Sequence, residues 1–431
     1  MTDTDLNQRT KWRLTRSMII IGLVCWAQHF SVVAQQTPKP LKVFILAGQS
    51  NMEGHAKLSS FDHVGMDPET SGMLKMMRGA DDSPKQCDRV WISYFTGPNE
   101  GGEGFGKLTA GYGARRNPQE SNGKIGPEFT FGIYMHKLLD EPILIIKTAW
   151  GGKSLHTDFR SPSAGPFQFN EPMLAAIEKR GDDLDEVKAK RAKETGVYYR
   201  KMIEHVKHVL NDPGRVCSAY DAESGFELAG FVWFQGWNDM VARDVYPNRD
   251  QPDGYELYSQ LMGHFIKDVR ADLEAPEMPF VIGVLGVGGP VADYDEGKKR
   301  YAAVHGNFRK AMAAPASFPE FAGNVTAVLT EECWDAELDV VASKRALVNQ
   351  RAKELRQANQ GYPDEAGTLS PTEQKELVDK FRSETLTAHD EQLLTGITNA
   401  EYHYLGSAKI IGQIGKAFAE AVFQLNSQDQ D

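Results

Sequence analysis

Five short apolar segments recur along the chain, separated by longer stretches with helical periodicity. Each segment is a near-continuous run rich in Val, Ile and Phe, bounded by Gly, Pro or polar residues. Such runs are typical of strands that are buried on both faces of a parallel sheet. The segments are residues 42–47, 142–147, 229–234, 279–285 and 324–330. The pattern therefore predicts five parallel strands.

The stretches between these strands favour amphipathic helices. Apolar residues recur every three or four positions in residues 197–210 and 255–273. Pro127–Leu139 has proline at its first position, where a missing N–H costs little, and residues 407–425 begin with a serine suited to capping a helix. Strands that alternate with helices predict an α/β fold, here a three-layer α/β/α sandwich with a five-stranded parallel sheet.

Three stretches do not fit a minimal five-stranded α/β/α sandwich. We interpret them as insertions in a single domain covering residues 41–431. Residues 55–125 are rich in glycine and are predicted to form long loops over one edge of the sheet. Residues 171–195 are dense in charge and are predicted to form a solvated helix. Residues 336–394 are predicted to form helix in two pieces, with a break near residues 361–363.

The N-terminus has the order of a secretory signal peptide at residues 1–34. Lys11, Arg13 and Arg16 precede an apolar run at residues 18–27, and residues of small or modest size follow it. The run is shorter than the roughly 20 apolar residues that span a bilayer. We expect a secreted or periplasmic protein without membrane attachment after cleavage, and an uncleaved N-terminal anchor is the alternative.

Charge and cysteine content exclude several classes of function. The 431 residues carry a net charge of −11, with no long basic run after the N-terminus. Nucleic acids and anionic membrane surfaces require a basic face, so neither is expected as a partner. Cys87, Cys217 and Cys333 are too widely spaced for a disulfide framework or a metal site, and at most one bridge is expected. No pattern indicates an oligomeric state.

Residues able to carry chemistry follow three of the predicted strands and precede the last helix. Ser50 follows the first strand, Gly152 the second and Asn238 the third, and His403 comes just before residue 407. The carboxyl ends of parallel strands meet in one crevice. There a serine can act as nucleophile with histidine as its base, and an N–H group and an amide can bind an oxyanion. Each residue alone is more typical of a turn, a cap or a packed side chain.

Three further segments are interpreted as structural. Residues 151–154 (Gly-Gly-Lys-Ser) end like a nucleotide-binding loop, but Lys147 stands where that loop requires glycine. His205 and His208 have metal-ligand spacing on a helix without a third ligand, so no metal is predicted. Residues 286–290 lack the last glycine of a dinucleotide-binding motif. We therefore expect neither a metal nor another cofactor.

Taken together, these motifs resemble those of the SGNH hydrolases, and within them the sialate O-acetylesterase-like group of carbohydrate esterases. Gly48-Gln49-Ser50-Asn51-Met52 resembles the opening motif of that group. Trp150-Gly151-Gly152 and Gln235-Gly236-Trp237-Asn238 are similar to its second and third blocks, and Gly126-Pro127-Glu128 is similar to a recurring element. The resemblance runs roughly from residue 42 to 423 without the charged insertions. It implies a flavodoxin-like SGNH fold and a serine esterase.

The resemblance also implies roles for individual residues. Ser50 would be the nucleophile, and His403 the general base that later protonates the leaving sugar alcohol. The Ser50 N–H, the Gly152 N–H and the Asn238 amide would form the oxyanion hole. The substrate would be an acetylated carbohydrate, hydrolysed through an acetyl-enzyme without a cofactor. The residues expected to contact the substrate are Gln49 and Gln235.

One position departs from the family pattern. The wider family usually has Asp three residues before the catalytic histidine, and this chain has Ala400 there. Asn399 and Glu401 flank that position, and a carboxylate from elsewhere, such as Asp335, is another candidate. A Ser–His dyad without an acid is the remaining alternative. The third member of the site therefore stays open.

Two other functions remain as alternatives to a carbohydrate acetylesterase. The missing Asp at position 400 is compatible with a non-catalytic glycan-binding module on the same fold. A lipase-like or thioesterase-like esterase would use the same motifs with another acyl group. Four aromatic residues near the presumed crevice are candidates either for stacking on sugar rings or for the core: Trp150, Trp237, Tyr402 and Tyr404.

Overall fold

The computed structural model describes most of the chain after the N-terminal segment. The described ranges are residues 39–96, 102–115, 123–360 and 369–428. From residue 40 onward, the described residues belong to the compact unit Pro40–Asp431. The predicted signal peptide at residues 1–34 lies outside them. None of the helices within these ranges combines the length and apolarity that crossing a bilayer requires.

Seven of the strands in the described residues form one mainly parallel sheet. The strands are β1 (Leu41–Gly48), β2 (Ala56–Lys57), β3 (Val90–Phe95), β4 (Glu103–Lys107), β5 (Lys124–Ile125), β6 (Ile143–Ala149), β7 (Phe226–Phe234), β8 (Phe280–Val284) and β9 (Val325–Leu329). The sheet has the order β4-β3-β6-β1-β7-β8-β9, in which only β4 runs antiparallel to its neighbour. Strands β2 and β5 form a separate antiparallel pair.

Helices cover both faces of this sheet. The α-helices in the described residues are α1 (Ser50–Glu53), α2 (Phe61–Met66), α3 (Pro68–Met77), α4 (Pro127–Leu139), α5 (Glu171–Arg180), α6 (Leu184–Glu194), α7 (Val197–Asn211), α8 (Trp237–Val241), α9 (Glu256–Asp272), α10 (Ala302–Ala313), α11 (Ala336–Gln360), α12 (Pro371–Thr385), α13 (Ala388–Leu393) and α14 (Ala408–Gln428). Short 3-10 turns connect several of them, including Glu401–Gly406.

Alternate side chains of β7 point to opposite helical layers. The Trp233 ring packs on Phe265 of α9 with centroids 4.3 Å apart, and the Phe234 ring packs on Phe418 of α14 at 5.3 Å. Both faces of the strand are therefore buried, as its continuous apolar run predicts. The predicted α/β/α sandwich is confirmed.

The predicted count of five strands is wrong, although all five predicted strands form. The two additional strands, β3 and β4, lie within residues 55–125, which were expected to form loops. The run Val-Trp-Ile-Ser-Tyr-Phe of β3 is mostly buried beside β6. Strand β4 is rich in glycine, so its strand conformation depends on pairing with β3 and has little local signal.

The two charged insertions are helical, with more breaks than expected. Residues 171–195 form α5 and α6 rather than one helix, because Gly181 ends α5 in the left-handed conformation at φ +73°. In residues 336–394, the part that the structure describes (336–360 and 369–394) forms three α-helices, α11 to α13. The break expected at residues 361–363 lies outside the described residues.

The sheet order puts the loops after β1, β6 and β7 side by side. Strand β1 pairs in parallel with β6 on one side and with β7 on the other, so the order reverses there. The Trp150 N–H donates to the Gly48 carbonyl over 3.2 Å, and the Gln49 N–H donates to the Phe234 carbonyl over 3.3 Å. Ligands of open α/β sheets bind at such a reversal point.

Candidate active site

Ser50 is the first residue of α1, directly after β1. A side chain at Gly48 would place its Cβ 2.1 Å from the Phe234 carbonyl oxygen, so the turn into α1 requires glycine. The first N–H groups of a helix have no partner within the helix. The Ser50 N–H accordingly donates to no acceptor in the described part of the chain. The Ser50 residue itself is 8% exposed.

The glycine pair after β6 lies against Ser50. A Cβ built on Gly151 would lie 3.7 Å from the Ser50 Cβ. Gly152 is exposed and has φ +75°, a left-handed conformation that favours glycine. Among the described residues, no acceptor takes the Gly152 N–H. This loop therefore presents a backbone donor beside the serine.

Gln49 joins the serine turn to the loop after β7. Its Nε2 donates to the Asn238 Oδ1 over 3.1 Å, and its Oε1 accepts from the Gly236 N–H at 3.0 Å and from the Gln235 Nε2 at 3.2 Å. Because the Asn238 oxygen is occupied, its NH2 group is left to donate. Gln49 and Gln235, which were expected to contact the substrate, are each 1% exposed and bond to protein atoms.

Sequence reasoning missed Asp239, the next residue after Asn238. Its carboxylate is fully buried and accepts from the N–H groups of Leu155 and His156 at 2.8 and 3.0 Å. It also accepts from the Gln235 Nε2 at 2.6 Å. Asp239 thus holds the loop after β6 against the loop after β7. The sequence did offer one signal for Asp239, because this acidic residue directly follows the Gln-Gly-Trp-Asn motif.

His403 lies in a backbone turn of unusual conformation. The next two residues, Tyr404 and Leu405, have φ values of +52° and +59°, which side chains with a Cβ rarely adopt. The Leu405 carbonyl accepts from the N–H groups of Thr398 and Asn399, both over 2.9 Å. These bonds close the turn on itself. Strained backbone of this kind is found at functional sites when the surroundings hold it.

Tyr404 anchors this turn in the core. It is fully buried, and its hydroxyl accepts from the Gly286 N–H over 2.8 Å. The Thr330 Oγ1 lies 2.6 Å from the same hydroxyl and also donates to the Val284 carbonyl. The Tyr404 hydroxyl therefore donates to Thr330 and has both a donor and an acceptor partner.

Two neighbouring side chains, Asn399 and His55, orient the His403 imidazole. The Asn399 Oδ1 lies 3.0 Å from Nδ1 and also accepts from the Ala400 N–H at 2.7 Å. An amide oxygen accepts, so Nδ1 carries the proton and Nε2 is left as an acceptor. The His55 ring stacks on His403 with centroids 3.9 Å apart and planes 5° apart.

Ser50 and His403 occupy neighbouring elements at the same edge of the sheet. Helix α1 lies against the Glu401–Gly406 turn. In the described part of the chain, no hydrogen bond joins the Ser50 hydroxyl to the imidazole. Catalytic hydrogen bonds of unliganded enzymes are often long, so this geometry is compatible with a nucleophile and its base.

The acids considered as third members of the site lie elsewhere. Asp335 pairs with Lys409 over 2.9 Å, and Glu401 pairs with Lys298 over 3.3 Å. Neither carboxylate contacts His403. The group that does so is the Asn399 amide, four residues before the histidine rather than three. The left-handed turn after His403 brings Asn399 back to the ring, and sequence spacing does not reveal such a turn.

Burial shifts the ionisation of several groups at this edge. Burial, and to a smaller extent nearby Lys124, lowers the pKa of His403 to about 4. The pKa of His55 falls to about 3, chiefly through burial and then through His403. Burial raises the pKa of Glu53, whose carboxylate accepts from the Thr96 hydroxyl over 3.0 Å. Both imidazoles are therefore neutral near pH 7, as a general base must be.

A cavity of about 490 Å³ borders the candidate oxyanion donors. We call it the polar cavity; its lining includes Gly152, Lys153, Arg191, Tyr198 and Asn238. The Lys153 ammonium lies 4.2 Å from the centre of the Tyr198 ring. Arg191 comes from α6, so one charged insertion contributes to the wall of the site. The cavity is large enough for a small-molecule ligand.

The four aromatic residues singled out in the sequence divide into two groups. Trp150 and Tyr404 are 4% and 0% exposed and belong to the core. Tyr402 is 44% exposed, and its ring lies 5.5 Å from that of half-buried Trp237. Only the second pair is accessible to a ligand.

The remaining histidine and cysteine candidates have structural surroundings. The His205 Nε2 lies 2.9 Å from the Ser93 hydroxyl in a buried cluster. No group of acidic, His or Cys side chains within the described ranges is arranged to hold a metal ion. Cys87, Cys217 and Cys333 are free thiols.

Comparisons with known proteins agree with these motifs. Residues 110–317 match a family model described as carbohydrate esterase, sialic acid-specific acetylesterase. Gly152 and Asn238 lie inside the matched region, and Ser50 and His403 lie outside it. A search of curated proteins finds no match.

Several solved structures are similar to the chain at low sequence identity. A protein from Arabidopsis thaliana is 16% identical and has a TM-score of 0.34, over 68% of this chain and 86% of that one. A carbohydrate acetylesterase from Xanthomonas citri is 13% identical, with a TM-score of 0.37, over 68% and 51%. NanS is 17% identical, with a TM-score of 0.34, over 68% and 78%. The fold assignment rests on the sheet order described above.

Proposed function

We propose that the protein is a secreted serine esterase that removes acetyl groups from carbohydrate hydroxyls, and the premise is the match of residues 110–317 to the family model of sialic acid-specific carbohydrate acetylesterases. One observation carries the proposal. Ser50, the Gly151-Gly152 pair, Asn238 and the His403 turn come from four separate parts of the chain and lie at one edge of the sheet. A nucleophile, oxyanion donors and a base are the groups that ester hydrolysis requires.

In the first half of the reaction, the Ser50 hydroxyl attacks the acetyl carbonyl carbon while the His403 Nε2 takes its proton. The oxyanion is bound by the Ser50 and Gly152 N–H groups and by the Asn238 NH2 group. Each such donor contributes about 3–4 kcal/mol to the transition state. Collapse of the intermediate breaks the ester bond, and the imidazolium protonates the departing sugar oxygen. The acetyl group is left on Ser50.

In the second half, His403 deprotonates a water molecule that attacks the acetyl-serine. The same donors bind the second oxyanion, and the Ser50 oxygen leaves with the proton from His403. Acetate is released and the starting state returns. The Asn399 amide keeps the proton of the neutral imidazole on Nδ1, so Nε2 is left without a proton and can take the one from Ser50 or from water.

Hydrolysis of p-nitrophenyl acetate tests the nucleophile directly. Ser50→Ala is expected to abolish turnover and to leave the melting temperature near that of the wild type. Ser59→Ala, which changes an exposed serine near the site, is the matched control and should keep full activity. Full activity in Ser50→Ala would remove Ser50 from the mechanism.

The substrate class is tested by acetate release from a panel of acetylated polysaccharides, with longer acyl esters for comparison. We expect acetyl esters of sugars to be preferred. Preference for long acyl chains would instead favour a lipase-like esterase. Glycan binding without turnover, together with failure to label Ser50 with an active-serine probe, would favour a binding module.

Export is the remaining part of the proposal and rests on residues 1–34. Expressed at full length in a secreting host, the protein is expected outside the cytoplasm with an N-terminus at Gln35. Mass spectrometry of the purified protein measures that N-terminus. Recovery of the uncleaved chain with the membrane fraction would indicate an anchor instead.

A further inference from the structure

A second cavity, of about 320 Å³, lies beside the candidate site. We call it the aromatic cavity; its lining includes Trp237, Val241, Tyr294, Tyr301 and Val304. The volume is in the range of sites that hold small ligands. Nothing in the proposed acetyl transfer uses this space, because two of the three proposed oxyanion donors, Gly152 and Asn238, line the polar cavity and none of the three lines the aromatic cavity.

The two cavities are lined by consecutive residues that follow β7. Trp237 lines the aromatic cavity, and the next residue, Asn238, lines the polar cavity. Glu401 lines the aromatic cavity two residues before His403. The centre of the Tyr402 ring lies 5.5 Å from that of the Trp237 ring and 4.4 Å from that of the His403 ring. A ligand that extends past Asn238 would therefore enter the aromatic cavity.

The lining of the aromatic cavity combines exposed aromatic rings with a few polar groups. Tyr301 is 43% exposed and Tyr402 beside the cavity is 44% exposed, which is unusual for large aromatic side chains in a chain with an extensive core. Arg243 also lines the cavity and makes no side-chain hydrogen bond or ion pair in the described part of the chain. It is left as a donor to a ligand.

The two other cations in this wall already have protein partners, and the Arg249 Nη1 donates to the Met240 carbonyl over 3.1 Å. The Lys298 ammonium lies 2.5 Å from Asp339 and 3.3 Å from Glu401. The cavity thus offers apolar ring faces and one guanidinium, that of Arg243, whose donors no protein group takes in the described part of the chain. A sugar ring matches this lining, because it has apolar C–H faces and hydroxyl groups at its edge.

We propose that the aromatic cavity binds a second sugar unit, linked to the acetylated unit that lies in the polar cavity. The substrate is then an oligosaccharide or polysaccharide rather than a free monosaccharide. This inference rests on the proposed function, since it requires the acetyl ester to lie at Ser50. The inference adds a binding site for a second sugar unit, which the acetyl transfer itself does not require.

The test compares three substrates: p-nitrophenyl acetate, an acetylated methyl monosaccharide and the matching acetylated oligosaccharide. For the wild type, kcat/KM for the oligosaccharide is expected to exceed that for the monosaccharide by about tenfold, equivalent to about 1.4 kcal/mol. Tyr301→Ala is expected to remove most of this advantage through KM and to leave kcat for the monosaccharide unchanged. Phe226→Ala is the matched control, because it removes an aromatic ring of similar exposure at the start of β7, whereas the cavity lies near the other end of that strand. This variant should keep the preference for the oligosaccharide.

The outcomes separate this inference from the proposed function. Equal kcat/KM for the two sugar substrates, or an unchanged advantage in Tyr301→Ala, would overturn the second-unit site while leaving the esterase intact. If Tyr301→Ala lost activity on all three substrates, the substitution would have damaged the fold. That result would also count against the second-unit site.

Binding provides a readout that does not depend on turnover. Calorimetry with the deacetylated oligosaccharide is expected to give the same Kd for the wild type and Ser50→Ala, and a Kd about tenfold weaker for Tyr301→Ala. If Ser50→Ala keeps its esterase activity while Tyr301→Ala weakens binding, the nucleophile is wrong and the sugar site stands. Equal binding by the wild type and Tyr301→Ala would overturn the sugar site.

Discussion

The Asn399 side-chain oxygen accepts a hydrogen bond from the His403 Nδ1 over 3.0 Å, from a position four residues earlier in the chain. The amide orients the imidazole without bringing a negative charge to it. Cysteine proteases with a Cys-His-Asn site use an amide in this position. The proposed site is therefore a Ser50–His403–Asn399 arrangement, in which the base keeps the low pKa that burial imposes on it.

Replacing this amide is expected to change the pH dependence of catalysis. Asn399→Asp puts a carboxylate beside His403, which favours the imidazolium and raises the pKa of His403. The base is active only when neutral, so the acid limb of kcat/KM should move to higher pH. In the wild type this limb should lie near pH 4. Rates with p-nitrophenyl acetate between pH 4 and 8 compare the acid limb of the wild type with that of Asn399→Asp.

Loss of the amide should instead lower the rate. Asn399→Ala removes the acceptor that fixes the ring, and we expect kcat to fall by about 10² because general-base catalysis is impaired. Asp335→Asn is the matched control, since Asp335 bonds to Lys409 and not to His403. A control that lost as much activity as Asn399→Ala, without unfolding, would contradict the assignment.

The stacked ring of His55 is expected to keep water away from His403. His55→Ala opens that face, so the pKa of His403 should rise toward its ordinary value and the acid limb of kcat/KM should move upward in pH. His55→Phe retains a planar ring and should keep the limb near pH 4. The same pH series measures both variants. An unchanged limb in His55→Ala would show that the ring contributes no shielding.

The amide of Asn238 is expected to act mainly in the transition state. Asn238→Asp removes the NH2 donor, and kcat should fall about 10²- to 10³-fold with little change in KM. Gln49→Leu leaves the amide in place but removes the bond that orients it, so a smaller loss of kcat is expected. Steady-state kinetics at pH 7 separate kcat from KM. A change confined to KM would assign Asn238 to ground-state binding.

A buried ion pair beneath the site should be important for stability. The Lys147 ammonium donates to the Glu128 carboxylate over 2.7 Å and to the carbonyls of Glu53 and Tyr112, each over 2.8 Å, and both charged side chains are fully buried. Lys147→Met leaves the Glu128 carboxyl without its partner, and the free energy of unfolding should fall by about 3–5 kcal/mol.

Urea denaturation measures that loss, and two comparisons interpret it. The double variant Lys147→Met/Glu128→Leu removes both charges and should recover much of the lost stability. Arg89→Met breaks an exposed pair with Asp140 and should cost less than about 1 kcal/mol. Equal losses in the buried and exposed single variants would contradict the assigned importance of burial.

Residues close together in the sequence determined much of the architecture. A strand buried on both faces must be apolar at every position, so runs such as those of β1 and β6 were recognisable without coordinates. The ends of parallel strands share one edge, and this rule brought Ser50, Gly152 and Asn238 to the same crevice in the prediction. The amphipathic helix α14 was recognisable from its periodicity.

Only the tertiary structure decided which groups surround the predicted histidine. Asn399 reaches His403 because Tyr404 and Leu405 adopt left-handed conformations, and these are held by the buried Tyr404 hydroxyl and by closure of the turn. The stacking of His55 and the pairing of the glycine-rich β4 with β3 likewise depend on contacts between distant segments. Local patterns encode which face of an element is buried. The partners that a side chain or backbone group meets depend on how the whole chain folds.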